Sequence, residues 1–195
     1  MGRWEPNARE RLARAALDLF GERGYEQTTV AEIARRAGLT ERTYFRHYTD
    51  KREVLFGGST VLREIFAKSV AEAPPSAAPI DIVAAGLEAV AAVFPARETS
   101  RQRQSVVDSH PELQERELIK LAALSAAVTD ALRARGVPDP AAALAAEAGI
   151  AVFKIGYERW IAPGEQRELA ALLSESLTEL KAVTAGEPQA RSRGR

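Results

Sequence analysis

Cysteine is absent from the 195-residue sequence, and histidine occurs only twice, as His47 and His110. Without cysteine, the chain has no disulfide framework, no thiol nucleophile and no cysteine-based zinc site. The two histidines are too far apart in sequence to form a local metal motif, so we expect neither a metal nor a cofactor. No hydrophobic run approaches the roughly 18 residues of a membrane span, and the first residues lack the apolar stretch of a signal peptide. We therefore expect a cytoplasmic protein without a membrane partner.

Charge of one sign is not in excess either, because 27 Lys and Arg residues balance 27 Asp and Glu residues. A total of zero says nothing about distribution, and a surface that binds nucleic acid needs only a local cluster of basic residues. Residues 42–52 contain such a cluster, with a net charge of +3. The proportions of hydrophobic residues, 46%, and of charged residues, 28%, are typical of globular proteins and exclude wholesale disorder.

Helical periodicity runs through almost the whole sequence, whereas strand patterns are nearly absent. Alanine, the strongest helix former, makes up about a fifth of the residues. The apolar spacing and the proline and glycine breaks predict an all-α protein of about nine helices, three short and six longer. One longer helix is expected to start at a capping box formed by Asp50 and Glu53 and to end near Ala73. Gly57 and Gly58 would lie inside that helix, where they would either soften the link between two domains or mark a local kink or a tight packing position.

Residues 28–55 contain the most informative pattern in the sequence. Thr29 and Glu32 are spaced as a capping box at the start of a short helix. Gly38 is placed to end that helix, and Thr40 can cap the next one after a turn of about three residues. Two short helices joined by so tight a turn predict a helix-turn-helix motif.

The second helix of this motif has too few apolar residues for a core helix. Leu39, Tyr44 and Tyr48 can turn inwards. The residues expected to face outwards are Glu41, Arg42, Phe45, Arg46 and His47, with Thr43 less clearly placed. Arginine and threonine side chains can read base edges in a major groove, and Lys51 and Arg52 at the start of the next helix suit a phosphate. A solvated helical face that happens to carry arginines is the alternative, and spacing alone does not exclude it.

Four segments carry a resemblance to a known family: AALDLF from Ala15, GYEQTTV from Gly24, IARRAGLT from Ile33, and TYFRHY from Thr43, followed by Lys51. In order and spacing they resemble the DNA-binding domain of the TetR family of bacterial repressors, almost without gaps over about 45 residues. The resemblance implies a homodimer, a helix-turn-helix domain on about the first 50 residues, and a variable helical ligand-binding domain behind it.

By this resemblance, Thr28 and Thr29 position the second helix and Lys51 meets a phosphate. The residues expected at the DNA are Thr29, Thr40, Arg42, Thr43, Phe45, Arg46, His47 and Lys51. The family usually has tyrosine where this chain has Phe45, so a hydroxyl-to-phosphate bond is lost, while apolar contact with sugar or thymine methyl remains. The neighbouring Tyr44 is bulkier than the usual aliphatic residue. Arg3 and Arg9 are expected to precede the first helix, either as an arm that reaches the DNA or as a free, solvated segment.

We expect a DNA-binding domain over residues 1–53, an effector-binding and dimerisation domain over 54–186, and a disordered polar tail over 187–195. The helix predicted from Pro138 to Ala162 has small residues along one side, at Ala142, Ala145, Ala146, Gly149 and Gly156. Glycine inside a helix costs about 1 kcal/mol relative to alanine, so two glycines there require the close approach of another helix. Together with the last helix, this pattern predicts a homodimer interface formed by the last two helices of each subunit. A contact within one chain is the alternative.

Aromatic and polar residues of the middle helices are the candidates for an effector pocket. They are Phe94, Val107, His110, Leu113, Phe153, Tyr157 and Trp160, although such a stripe is also typical of a hydrophobic core. No nucleophile–base pair, paired carboxylates or metal cluster is evident, so we do not expect an enzyme. We expect a transcriptional regulator, a repressor released by a small molecule, whose homodimer binds a palindromic double-stranded operator. The alternatives are an effector-independent DNA-binding protein and an α-helical enzyme.

Overall fold

The computed structural model describes residues 8–185, and within that range the chain is all-α, as predicted. Nine α-helices and one 3₁₀ helix follow one another in these residues: α1 (Ala8–Arg23), α2 (Val30–Arg36), α3 (Glu41–His47), the 3₁₀ helix (Arg52–Phe56), α4 (Ser59–Glu72), α5 (Pro79–Val93), α6 (Arg97–Asp108), α7 (Pro111–Ala134), α8 (Asp139–Ile161) and α9 (Leu169–Ala185). The expected tail at 187–195 and the proposed role of Arg3 lie outside the described residues. Arg9 does not precede the first helix, because it belongs to the first turn of α1.

The helices form two compact units. Of the described residues, the first unit consists of 8–60 together with 95–120, and the second consists of 61–94 and 121–185. The first unit therefore contains α1, α2, α3, the 3₁₀ helix, α6 and the beginning of α7. The domain boundaries expected after residues 53 and 186 separate DNA binding from effector binding. They concern function rather than packing, so they stay predictions.

The first three helices are shaped by local sequence signals, and the structure confirms those signals. The apolar stripe of α1, from Leu12 to Phe20, is buried. The Thr29 hydroxyl accepts a hydrogen bond from the Glu32 amide, and the Glu32 carboxylate accepts one from the Thr29 amide, which completes the predicted capping box. Gly38 adopts a positive φ of 66°, which favours glycine, and so allows the tight turn into α3.

The chain after α3 corrects a prediction: no single helix runs from residue 53 to Ala73. Asp50 does cap, because its carboxylate accepts hydrogen bonds from the backbone amides of Arg52 (2.8 Å) and Glu53 (3.1 Å). The segment that it caps is only a 3₁₀ helix, and α4 begins after a turn at Gly57 and Gly58. A Cβ at Gly57 would lie 3.2 Å from the Tyr48 ring, so Gly57 occupies a tight packing position next to Tyr48 rather than the interior of a helix.

Close packing of α5, α8 and α9 forms the core of the second unit. A Cβ added at Gly149 would overlap Cγ1 of Val83 in α5, and one added at Gly156 would lie 2.6 Å from Cδ2 of Leu173 in α9. The small residues of α8 do permit the close approach of other helices, but these helices belong to the same chain. The prediction that this side of α8 forms a dimer interface is therefore wrong.

The lengths and apolar content of the helices in residues 8–185 bear on whether any of them could cross a membrane. No single helix there is both long and apolar enough to cross a membrane. One bent pair of successive helices, Pro79–Val93 with Arg97–Asp108, has the necessary length and composition only when the two are taken together.

Candidate nucleic-acid interface

Helix α3 presents the outward face that the sequence predicts. Glu41, Arg42, Phe45 and Arg46 are exposed, and the Phe45 side chain keeps 53% of its accessible surface. Among residues 8–185, neither Arg42 nor Arg46 forms an ion pair, so both guanidiniums are available to an external anion or base edge. Exposed arginines and an exposed aromatic ring on a two-turn helix give this face the chemistry of a major-groove reader.

The opposite face of α3 is anchored by two tyrosines. Tyr44 is fully buried, and its hydroxyl donates to the backbone carbonyl of Asp50 at 3.2 Å. Tyr48 is also buried, and its hydroxyl donates to the Arg9 carbonyl in α1 at 3.1 Å. Burial raises the pKa of Tyr44 far above its ordinary value, so its hydroxyl stays a proton donor at physiological pH. The large side chain of Tyr44 therefore packs in the core, where it fixes the orientation of α3.

Phe45 is held by its neighbour as well as by the backbone. Its ring contacts the Tyr44 ring edge-on, with centroids 5.6 Å apart and an interplanar angle of 78°. An edge-to-face pair of this kind restricts the Phe45 ring while leaving half of its surface open. Phe45 can therefore offer a preoriented apolar surface, although it lacks the hydroxyl that is usual at this position.

The three candidate threonines, Thr29, Thr40 and Thr43, differ in the contacts that their hydroxyls make within the protein. Thr40 caps α3, since its hydroxyl accepts from the Thr43 amide at 3.2 Å, and the two hydroxyls lie 3.1 Å apart. Thr43 is half-buried on the same turn. The Thr29 hydroxyl is bound to the Glu32 carboxylate at 2.9 Å within the capping box. Thr29 and Thr40 thus support the helices first, and any contact with DNA would come in addition.

His47 is half-buried at the end of α3, and its Nε2 is buried without a hydrogen-bond partner among residues 8–185. Burial lowers the pKa of His47, and the nearby Arg46 and Arg9 cations lower it further. The ring is therefore neutral at physiological pH, and its unpartnered Nε2 is shielded from solvent.

Lys51 is tied to the loop between α1 and α2. Its ammonium donates to the Tyr25 carbonyl at 2.9 Å and lies 4.0 Å from the centroid of the Tyr25 ring. The adjacent Arg52 is paired with Asp50 at 3.2 Å, so it contributes little to the local positive potential. Among residues 8–185, Arg42, Arg46 and Lys51 are thus cations near α3 that no carboxylate neutralises.

The predicted effector-pocket residues separate into two groups. Phe94 lies 5.7–5.9 Å, centroid to centroid, from three rings of α8, those of Phe153, Tyr157 and Trp160, and this aromatic cluster belongs to the second unit. Val107, His110 and Leu113 belong to the first unit. Val107 and Leu113 are fully buried in its core, and His110 packs against Tyr25. The structure therefore brings four of the candidates together and assigns the other three to the unit that contains α3.

An ion cluster between the 3₁₀ helix and α7 was not predicted. The Glu53 carboxylate accepts from Arg116 Nε at 2.7 Å, also from Arg116 Nη2, and from Lys120 Nζ at 2.9 Å. Nearby, Arg103 of α6 donates to the Leu55 carbonyl at 2.8 Å. Arg116 and Lys120 are four residues apart and so share one face of α7, but the sequence does not say which carboxylate they meet. These contacts attach α6 and the start of α7 to the unit that contains α3.

Comparison with known proteins gives matches along most of the chain. A family model described as bacterial regulatory proteins, tetR family, matches residues 12–56, and a model described as the MftR C-terminal domain matches residues 62–185. The HTH-type transcriptional regulator TcmR of Streptomyces glaucescens is 35% identical over 82 residues, which cover 42% of this chain and 36% of TcmR. The matched segment thus spans about a third of the length of that curated relative.

Solved structures resemble the chain over nearly its full length. A crystal structure described as a TetR-family transcriptional regulator from Syntrophomonas wolfei aligns with a TM-score of 0.63 and 17% identity, covering 94% of this chain and 98% of that one. SmeT, the repressor of the Stenotrophomonas maltophilia multidrug efflux pump SmeDEF, aligns in its triclosan complex with a TM-score of 0.60 and 19% identity, covering 88% and 90% of the two chains. At these identities the likeness shows the fold alone. Since the model of the C-terminal domain covers more than half of the chain and the tetR model covers the helix-turn-helix, the chain belongs to the TetR family of bacterial regulators.

Proposed function

We propose that the protein is a DNA-binding transcriptional regulator that inserts α3 into the major groove of an operator. The proposal is carried by one observation: Arg42 and Arg46 are exposed, form no ion pair with any residue between 8 and 185, and lie beside the exposed Phe45 ring on a helix whose other face is anchored by Tyr44. In this arrangement the arginines pair with guanine edges or phosphates, and Phe45 contacts a sugar or a thymine methyl group. Such a regulator acts on chromosomal DNA and would therefore work in the cytoplasm.

The remaining candidate residues would support those contacts. Thr43 is close enough to the exposed face to reach a base edge, and neutral His47 can donate to or accept from the backbone. Lys51 would bind a phosphate through the ammonium protons that Tyr25 does not use. Thr29 and Thr40, whose hydroxyls already cap α2 and α3, would add contacts with DNA only at the edges of the reading helix.

We further propose a homodimer through α8 and α9, because α8 carries an apolar stripe, bordered by the exposed Glu147, Lys154 and Glu158, on the side that the described part of the chain leaves uncovered. Leu144 and Ile155 of α8 are 70% and 53% exposed. They are eleven residues apart, which is about three helical turns, so they lie on one face together with Ala141, Ala148 and Ala151. A helix with apolar residues on both faces is normally buried on both. A second copy packed around a two-fold axis would cover this face and present two α3 helices to a palindrome.

We propose that a small apolar molecule releases the protein from its operator and that it binds at the aromatic cluster of Phe94, Phe153, Tyr157 and Trp160. SmeT, which has the same fold, has a solved structure of its complex with triclosan. Offset and edge-on rings, such as those around Phe94, offer stacking surfaces to an aromatic or aliphatic ligand. By linkage, such a ligand would weaken DNA binding only if it favours a conformation that binds the operator less well.

The DNA-binding proposal is tested by selecting bound duplexes from a random library and then comparing variants on the selected duplex and on a random one. Arg46→Ala is expected to reduce the preference for the selected duplex about tenfold or more, because it removes a base contact worth about 1–3 kcal/mol. Lys51→Ala is expected to weaken both duplexes alike, and Arg63→Ala, which removes an exposed arginine of α4, serves as the matched control. If Arg46→Ala and Arg42→Ala both bind like the wild type, α3 is not the reading helix.

A further inference from the structure

We infer that His110, at the turn between α6 and α7, is a positioning residue for DNA binding that acts on Lys51 through Tyr25. The inference rests on the proposed function, because it concerns the phosphate contact assigned there to Lys51. His110 is 59 residues away from Lys51 in sequence and outside the helix-turn-helix. All three residues belong to the first compact unit.

The contact between Lys51 and Tyr25 has two parts. The ammonium donates one hydrogen bond to the Tyr25 carbonyl at 2.9 Å, and it also lies 4.0 Å from the centre of the Tyr25 ring. A carbonyl and an aromatic face both attract a cation, so together they fix the end of a side chain that is otherwise flexible. An ammonium has three donors, so two stay available for phosphate oxygens while Tyr25 holds the third.

The position of Tyr25 depends on its own neighbours, because it lies in the loop between α1 and α2 rather than in a helix. Its ring is buried, and it meets the Phe20 ring edge-on at 5.2 Å and the His110 ring edge-on at 4.9 Å. His110 is itself fixed, since Nδ1 lies 2.9 Å from the Val106 carbonyl at the end of α6. The imidazole therefore restricts the movement of the Tyr25 ring, and the Tyr25 ring in turn contacts the Lys51 ammonium.

The surroundings of His110 make the inference testable. An open groove of about 480 Å³ separates the end of α1 from α6, and its lining includes Phe20, Tyr25, Gln102 and His110. Truncating His110 enlarges this groove rather than opening a void in the core, so the variant is expected to fold. The loss of the ring would leave Tyr25 free to shift and would let Lys51 sample positions that do not face a phosphate.

The test measures the dissociation constant of the full chain for a random-sequence duplex by fluorescence anisotropy, at several salt concentrations and one pH. Lys51→Ala is expected to weaken binding about fivefold at 0.1 M salt and to reduce the slope of log K against log salt by about one. His110→Ala is expected to weaken binding about threefold, and His110→Phe, which keeps an aromatic edge against Tyr25, is expected to restore wild-type affinity. Thermal melting by circular dichroism verifies that each variant is folded.

The decisive measurement is the double variant. If His110 acts through Lys51, His110→Ala added to Lys51→Ala causes no further loss of affinity. An equal, additive loss in the Lys51→Ala background would mean that His110 affects the fold in general, and it would overturn the inference. So would a His110→Ala variant that binds like the wild type. Failure of the wild-type chain to bind any duplex would instead refute the proposed function and the inference with it.

Discussion

Replacing Glu53 with glutamine tests whether the ion pairs of Glu53 with Arg116 and Lys120 stabilise the packing of the start of α7 within the first unit. The carboxylate is 16% exposed, and its partners Arg116 and Lys120 are 29% and 28% exposed. Glutamine has nearly the same shape, so Glu53→Gln removes the charge with little change in packing. It leaves two cations close together, and the new amide group points a donor at one of them.

The magnitude depends on the burial of the cluster. Surface ion pairs contribute about 0–1 kcal/mol, whereas breaking a fully buried pair costs about 3–5 kcal/mol. The Glu53 cluster lies between these limits, so Glu53→Gln should lower the free energy of unfolding by about 1–3 kcal/mol. For a chain of this length that is a drop in Tm of about 3–10 °C. The matched control is Glu22→Gln, since Glu22 pairs with Arg36 in the same unit but the two side chains are 47% and 38% exposed. It should change stability by less than about 1 kcal/mol.

The pH dependence supplies an independent check. Burial alone would raise the pKa of Glu53, but hydrogen bonds from Lys120 and Arg116 outweigh burial and lower it below the usual value. A carboxyl group whose pKa is lower in the folded state contributes stability that is fully present above its unfolded pKa, about 4.3, and is lost as the pH falls through its folded pKa. The difference between wild type and Glu53→Gln in urea denaturation should therefore be constant at neutral pH and shrink below about pH 4. A difference no larger than that of Glu22→Gln, or one that grows on acidification, would refute this reasoning.

Three further substitutions test the packing of the helices. Gly149→Ala should lower the free energy of unfolding by about 1–3 kcal/mol despite the better helix propensity of alanine, because its Cβ would overlap Val83, a β-branched residue with little rotamer freedom. Urea denaturation measures this, and Gly58→Ala, whose Cβ meets nothing within 4 Å, is the control that should be neutral or slightly stabilising. Thr29→Ala removes the α2 capping box and should cost about 1 kcal/mol in the same assay, whereas an unchanged denaturation midpoint would mean that the cap is dispensable. Leu144→Glu should raise the dimer dissociation constant about tenfold or more in sedimentation equilibrium, and a dimer that persists unchanged would exclude the outer face of α8 as the interface.

Features decided within a few residues could be predicted from the sequence. The capping box of Thr29 and Glu32 and the left-handed Gly38 depend only on neighbours within one turn, and the structure has them as expected. The inward turn of Tyr44 and the outward turn of Arg42 result from helical periodicity in the same way. These local rules were enough to place the candidate reading face.

Features decided by distant partners could not be predicted in that way. Glu53 has the right spacing to complete a capping box with Asp50, but it pairs instead with Arg116 and Lys120, more than 60 residues away. Likewise, the glycines of α8 indicate that another helix comes close, yet the sequence does not state whether that helix belongs to the same chain. A pattern specifies the kind of contact that a face can make, whereas the fold selects the partner.

The discontinuous makeup of the first unit has a consequence for protein engineering. Val107 and Leu113 complete the same hydrophobic core as Leu12 and Tyr25, so a fragment that stops at residue 60 would expose apolar surface to water. Chimaeras that exchange sensor modules between family members by a single cut after the helix-turn-helix would split this core in two. A graft that keeps residues 95–120 from the same parent as α1 would preserve it, and such hybrids are expected to express in soluble form where single-cut hybrids aggregate.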